Sequence, residues 1–220
     1  ANKRSNIVQM DPKEFSKLTQ EFSRELETFV RRTAPVIVGR LAENHFRDNF
    51  RQGGFVDREL RPWPRTRRQQ SGAGTAESQY GPLLSSREHL MLSVEHTTYD
   101  YGALVYNRVP YAPIHNWGGK IPVTDRMRGY MWYRYLKASG KLGRSKNSAS
   151  EGGSRKRRKP SQATTAEAEK WRRLALSIRN KKTIRIPQRQ FLGASARLEE
   201  TIRKELENEL EAQLIKLNIR

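Results

Sequence analysis

The sequence predicts an α+β fold: an N-terminal helix, an antiparallel β-meander and a long C-terminal helix, with a basic insertion between strands. Three observations carry this. Near both ends of the chain, apolar residues recur at three- and four-residue steps, as one face of a helix requires. Between them, short runs rich in β-branched and aromatic residues are bounded by turn residues, which marks strands. The span 124–182 follows neither pattern throughout and carries a dense run of lysine and arginine.

The first helix is signalled by Asp11 as N-cap, Pro12 at the first helical position and Glu14 at capping-box spacing. Phe15, Leu18, Phe22, Leu26 and Phe29 form its apolar stripe. Thr33 and Pro35 predict a kink or a new start. Ile37, Leu41, Phe46 and Phe50 continue the period until Gly53-Gly54 ends it. Residues 51–82 read as irregular, with Trp63 expected to anchor them to the core. A short helix is expected from Leu83, with Ser85 and Glu88 at capping-box spacing, and a strand by Leu92. Residues 97–101 supply a turn, 102–107 a second strand and 120–123 a short edge segment, giving a meander of three or four strands between helices.

Beyond residue 124 the character changes. Residues 126–137 carry Tyr130, Trp132, Tyr133 and Tyr135 among Arg126, Arg128 and Arg134. These residue types suit either helix packing or a stacking surface for single-stranded nucleic acid, and packing is the commoner use. Residues 139–161 are rich in glycine, serine, lysine and arginine and contain too little apolar surface to order themselves. A helix is expected over 165–180, with Trp171, Leu174 and Ile178 on one face, then a half-buried strand over 182–186. In the last helix, from about 194 to 217, Leu198, Ile202, Leu206, Leu210 and Leu214 repeat every four residues. Each such step gains about 40°, so the stripe winds around the helix. That pattern suits a helix shared between its own core and another subunit, and equally a curved helix over one sheet. The expected organisation is an N-terminal arm (1–10), a core (11–123 and 183–220) and a basic, partly flexible insertion (124–182).

At 220 residues with 35% hydrophobic and 30% charged residues, the chain predicts a modest core with polar appendages. No apolar run approaches the roughly 20 residues of a membrane span. Residues 1–6 lack the apolar segment of a signal peptide. Cysteine is absent, which excludes disulfides and thiolate metal sites. A net charge of +20 favours partners with negative surfaces, either nucleic acid or acidic protein faces. Arg155, Lys156, Arg157, Arg158 and Lys159 are the candidate contact for DNA or a partner protein; such a run neutralises phosphates or docks on carboxylates.

Reactive chemistry is harder to find. His45, His89, His96 and His115 lack the helical partner spacing of a metal site, and no phosphate-binding glycine loop is present. Ser93, His115 and Asp100 would make a nominal triad, but without the sequence context of a nucleophile elbow. No acidic cluster supports a metal-dependent nuclease. His115 reads as a structural residue satisfying backbone groups within a tight corner. No catalytic residue, metal or cofactor is implied.

The most particular features are two corners. One is Tyr111-Ala112-Pro113-Ile114-His115-Asn116-Trp117-Gly118-Gly119; the other is Pro187-Gln188-Arg189-Gln190-Phe191-Leu192-Gly193. Together with Asn49-Phe50-Arg51-Gln52-Gly53-Gly54-Phe55, Trp63-Pro64 and Leu90-Met91-Leu92-Ser93-Val94, they resemble the phage virion morphogenesis family, the tail-completion proteins of Mu-like and P2-like phages. The first corner resembles its Y-A-x-I-H-x-(aromatic)-G-G element, the second its P-x-R-x-F-L-G element. The resemblance covers roughly residues 10–123 and 183–217. Arg87-Glu88-His89 stand where the family usually has Thr-Gly, and the insertion is longer and more basic than the family pattern. The signature positions are Trp63, Tyr111, His115, Trp117, Gly118, Gly119, Pro187, Arg189, Phe191 and Gly193.

The resemblance implies a non-enzymatic structural protein of the virion neck that completes or caps the tail and helps it join the head. It implies a homo-oligomeric ring, with six-fold symmetry the expectation. Partners would be neck, connector and tail-tube proteins close to the genomic DNA, in a virion assembled in the host bacterial cytoplasm. The alternative reading is a nucleic-acid-binding protein acting through the basic insertion.

Overall fold

The computed structural model describes residues 11–70, 79–142 and 162–216. The fold is α+β, with helices at both ends and antiparallel strand pairs between them. The chain divides into two compact units, Ala1–Trp117 with Gln188–Arg220, and Gly118–Pro187. The second unit therefore starts and ends outside the 124–182 span and takes the flanking strands with it.

In the first unit, helix α1 spans Pro12–Thr28 and helix α2 spans Ala34–Gln52, joined by a π-helical segment at Phe29–Thr33. Asp11 is extended, but its side chain makes no capping bond; only its carbonyl accepts from the Phe15 N–H, at 2.9 Å. Pro35 does not break the helix. It has no N–H to give to the carbonyl four residues back, and its ring crowds that carbonyl. The carbonyl is that of Arg31, and the widened π turn lies around it. Its acceptor is filled from outside the helix by the N–H of Tyr101, at 3.1 Å.

Gly53, at φ 70°, closes α2 in left-handed geometry. A tight hairpin follows where the sequence reads as irregular: β1, Gly54–Val56, pairs antiparallel with β2, Leu60–Pro62. Helix α3 is one turn, Arg67–Gln70. The short helix expected from Leu83 begins later, as α4, His89–Leu92; Glu88 precedes it with a positive φ of 46° and makes no side-chain cap. Strands β3, Val94–Tyr99, and β4, Gly102–Asn107, form a hairpin with Val94 opposite Asn107 and Tyr99 opposite Gly102. Its tip reaches the π segment, where Asp100 pairs with Arg31 at 2.6 Å and Arg32 at 3.4 Å. Helix α5, Ala112–Trp117, follows.

The core of this unit gathers Phe46 and Phe50 from α2, Phe55, Trp63, Leu90, Met91, Val94, Val109, Ala112, Phe191 and Leu198. Leu198 lies in the C-terminal helix α8, Ala196–Lys216, which packs on α2. Leu198 is buried and Ile202 packs against the core, whereas Leu206, Leu210 and Leu214 are only half-buried. The winding stripe thus leaves the core after about two turns.

In the second unit, β5, Gly119–Pro122, pairs antiparallel with β6, Thr183–Ile186. Between them lie α6, Asp125–Ala138, and α7, Gln162–Ile178, packed against each other. Thr124 caps α6 by accepting from the Met127 N–H at 3.2 Å. Ala168, Ala175 and Ile178 are buried in α7. Tyr130 meets Trp171 edge-on at 6.0 Å, and the Arg134 guanidinium lies 4.5 Å from the Trp171 ring centre while pairing with Glu167 at 3.2 Å.

The antiparallel strands do not form one continuous meander. Among the described residues they make three separate two-stranded ladders. Helix α5 interrupts the run after β4, and the backbone groups of β5 are satisfied by β6 instead. The run Arg155, Lys156, Arg157, Arg158 and Lys159 lies outside the described residues.

Candidate functional site

The two particular corners belong together in space. Asn116, near the end of α5 and only 5% exposed, is the hub. Its side-chain oxygen accepts from the N–H of Phe191 at 2.8 Å and of Leu192 at 2.9 Å. Its NH₂ group donates to the Leu192 carbonyl at 3.1 Å. One residue earlier, the His115 carbonyl accepts from the Arg189 N–H at 2.8 Å. The second corner is therefore docked on α5 by side-chain and backbone groups that would otherwise be buried and unpaired.

A second amide closes the other side. Asn49 in α2 is fully buried; its oxygen accepts from the Val56 N–H at 3.0 Å, and its NH₂ donates to the Phe191 carbonyl at 3.3 Å. Both polar groups of the Phe191 peptide unit are thus held by asparagines from distant parts of the chain. The Phe191 ring, also fully buried, lies 5.0 Å from Phe50, which meets Trp63 edge-on at 5.5 Å. Trp63 donates from its indole nitrogen to the Gln190 carbonyl at 2.7 Å. Arg189, 6% exposed, donates from Nε to the Pro64 carbonyl at 3.0 Å.

The start of α8 is fastened by the same logic. Leu198 N–H donates to the Ser195 hydroxyl at 3.2 Å, and Asp57 takes the N–H of Ala196 on its carboxylate at 3.1 Å and that of Arg197 on its carbonyl at 2.9 Å. Helix and hairpin turn are locked by these hydrogen bonds.

The signature positions divide accordingly. Trp63, His115, Arg189 and Phe191 lie in or against this knot. Gly193 follows it at φ 158°, where an added Cβ would meet the Gln190 amide nitrogen. Tyr111 sits on the rim, edge-on to His115 at 5.9 Å, and Trp117 is 68% exposed. Gly118, at φ 70°, Gly119, at φ 152°, and exposed Pro187 belong to the second unit.

Burial, and after it the charge of Arg189, pushes His115 below the ordinary imidazole range, which favours the neutral ring. Its Nδ1 is buried with no hydrogen-bond partner among the described residues. Burial and then the charge of Arg68 lower Arg189. The nominal triad is dispersed: the Ser93 hydroxyl donates to the His89 carbonyl, and Asp100 is held by Arg31 and Arg32. His96 meets Glu43 at 2.5 Å and His89 faces Tyr111. No group of three or more His, Cys, Asp or Glu that could hold a metal occurs among the described residues. Nor is any helix among them long and apolar enough to cross a membrane.

No protein-family profile, curated protein or solved structure matches the chain.

Asn49, Asp57, Asn116 and Ser195 carry the knot, yet sequence reasoning did not single them out. Asn49 stands four residues before the Gly53 that ends α2, and Asn116 between two aromatic-rich stretches. No local signal singles them out; a buried amide must find partners for both its ends, but burial itself is not written in the neighbouring residues.

Proposed function

We propose that this protein is a structural component of the phage virion neck, a ring subunit that completes or caps the tail and mediates its joining to the head. The observation that carries the reading is the Asn116–Phe191 knot. The residues that make the sequence resemble the tail-completion family serve here to fix backbone geometry, with the amide groups of Asn49 and Asn116 turned inward and burial disfavouring the charged form of His115. A site built this way rigidifies a scaffold; it offers no nucleophile paired with a base. The role is adaptor binding, not catalysis. The six-fold ring and the neck, connector and tail-tube partners stand on the sequence resemblance alone.

Electron microscopy of virions labelled on this protein, with mass spectrometry of purified particles and tail intermediates, tests the reading. The expected result is label at the head–tail junction. Absence of the protein from mature particles and from every tail intermediate overturns it.

A further inference from the structure

Two amphipathic helices of this chain present uncovered faces of opposite charge. No residue of α1 is buried. Its stripe of Phe15, Leu18, Phe22 and Leu26 is exposed or half-exposed, with Phe15 59% exposed. At about 100° per residue, Glu14, Glu21 and Glu25 fall together along one edge of that stripe, and Lys13, Lys17 and Arg24 fall on the back of the helix. The apolar face is thus an acidic face in a chain of net charge +20. None of the three glutamates makes an ion pair among the described residues.

Helix α6 shows the converse. Met127, Met131, Arg134 and Tyr135 lie on its more covered side, where Arg134 reaches Glu167 and Trp171 of α7. On the other side lie Trp132, Tyr133 and Leu136, all exposed, and Gly129, where an added Cβ would meet nothing. Arg126 and Lys137 border this strip along one edge, and both are exposed. The helix carries four cations against the single carboxylate of Asp125.

The spacings agree. Glu14 and Glu25 stand eleven residues apart, as do Arg126 and Lys137, about 16 Å along either axis. The handedness agrees too. When two right-handed helices meet face to face and run parallel, the edge trailing the stripe of one lies beside the edge leading the stripe of the other, as in parallel coiled coils. The acids trail on α1 and the bases lead on α6, so only the parallel arrangement brings them together.

We infer that α1 of one copy docks lengthwise and parallel on α6 of a second copy, with Glu14 beside Arg126, Glu25 beside Lys137, Glu21 near the Tyr133 hydroxyl and the two apolar strips in contact. Different surfaces meet, so the contact is head-to-tail, the kind that generates a ring when its rotation closes. The inference rests on the ring reading above and names its subunit contact. Helix α8 is a poorer receiver for α1, because its six glutamates outnumber its four cations. The same acidic edge repels nucleic acid.

Charge reversal in the full chain, read by sedimentation velocity, tests it. Glu14→Lys with Glu25→Lys, and separately Arg126→Glu with Lys137→Glu, each weaken self-association by about tenfold or more. All four changes together restore it, which misfolding would not produce. Pair variants that associate like the parent, or a fourfold variant no better than either pair, overturn the contact. Because the chain lacks cysteine, Glu14→Cys and Arg126→Cys chains mixed one to one and treated with a short bis-maleimide are expected to give a heterodimer. Crosslinking only when both changes share one chain overturns it as well. A parent chain that stays monomeric at every concentration defeats the ring reading itself, whereas association indifferent to the charge swaps defeats only this contact.

Discussion

Asn116 and Leu192 bond in both directions: the Leu192 N–H donates to the Asn116 side-chain oxygen at 2.9 Å, and the Asn116 NH₂ donates to the Leu192 carbonyl at 3.1 Å. An amide side chain thereby does for one residue what a neighbouring strand would do. The same oxygen takes the N–H of Phe191, so two consecutive backbone donors depend on one buried atom.

Asn116→Ala strands those donors and the Leu192 carbonyl in a largely dry site. The expected loss is about 2–4 kcal/mol, measured by urea unfolding of purified protein. Asn116→Asp keeps the acceptor for both N–H groups but sets a carboxylate oxygen against the Leu192 carbonyl, and is expected to be destabilising too. Wild-type stability in both variants would show that the knot is not held this way.

Phe191→Ala tests the apolar half of the same knot. The ring is fully buried against Phe50 and inside the cluster that includes Trp63. Its removal is expected to cost about 3–5 kcal/mol, because the surrounding rings are themselves pinned and cannot collapse inward. Phe191→Leu is expected to cost markedly less. Equal losses for the two variants would point to the backbone bonds, not ring packing, as the source.

His115 and His45 make stability depend on pH. Burial lowers the pKa of each below that of a free imidazole; in His115 the charge of Arg189 adds to it, and in His45 a bond to the Val56 carbonyl opposes it. Below about pH 6.5 the unfolded chain binds protons that the folded chain refuses, so this stability is present above that pH and is lost as pH drops through it toward the lower folded values. The expected result is a melting temperature that declines between pH 7 and 5.5 and declines less in the His45→Gln, His115→Gln double variant. An unchanged slope in that variant would assign the decline to other groups.

What could be read in the sequence was whatever periodicity or punctuation encodes. The stripe from Phe15 to Phe50, the glycine stop at Gly53 and the α+β class all rest on local pattern. The two corners stand in the sequence only as separate elements of the resemblance, and nothing local marks the asparagines that join them. Asn49 reaches Phe191 across 142 positions, and Asn116 reaches it across 75. Nothing local marks an asparagine as buried. The strands depart from a single meander for a related reason: alternation predicts strands but not their partners, and β5 pairs with β6 across the whole insertion. Likewise Ser85 and Glu88 have capping-box spacing, yet Glu88 takes a positive φ and the helix starts at His89.

Pro35 offers the sharpest test of how the long N-terminal helix is tied to the hairpin. Because Pro35 cannot donate to the Arg31 carbonyl, that oxygen is free for the Tyr101 N–H, and Asp100 closes on Arg31 beside it. Pro35→Ala supplies the missing N–H, so the Arg31 carbonyl can return to the helix ladder and the π turn can relax. The Tyr101 amide then loses its acceptor, and hydrogen exchange there is expected to quicken by an order of magnitude or more, for a loss of about 1.4 kcal/mol or more of local protection. Asp100→Asn is the control: it removes a solvent-screened surface ion pair and leaves the Arg31 carbonyl available. It is expected to affect Tyr101 exchange less than Pro35→Ala does. Should Asp100→Asn speed exchange as much as Pro35→Ala, the hairpin tip would be held by charge, and the proline would have no part in creating its docking point.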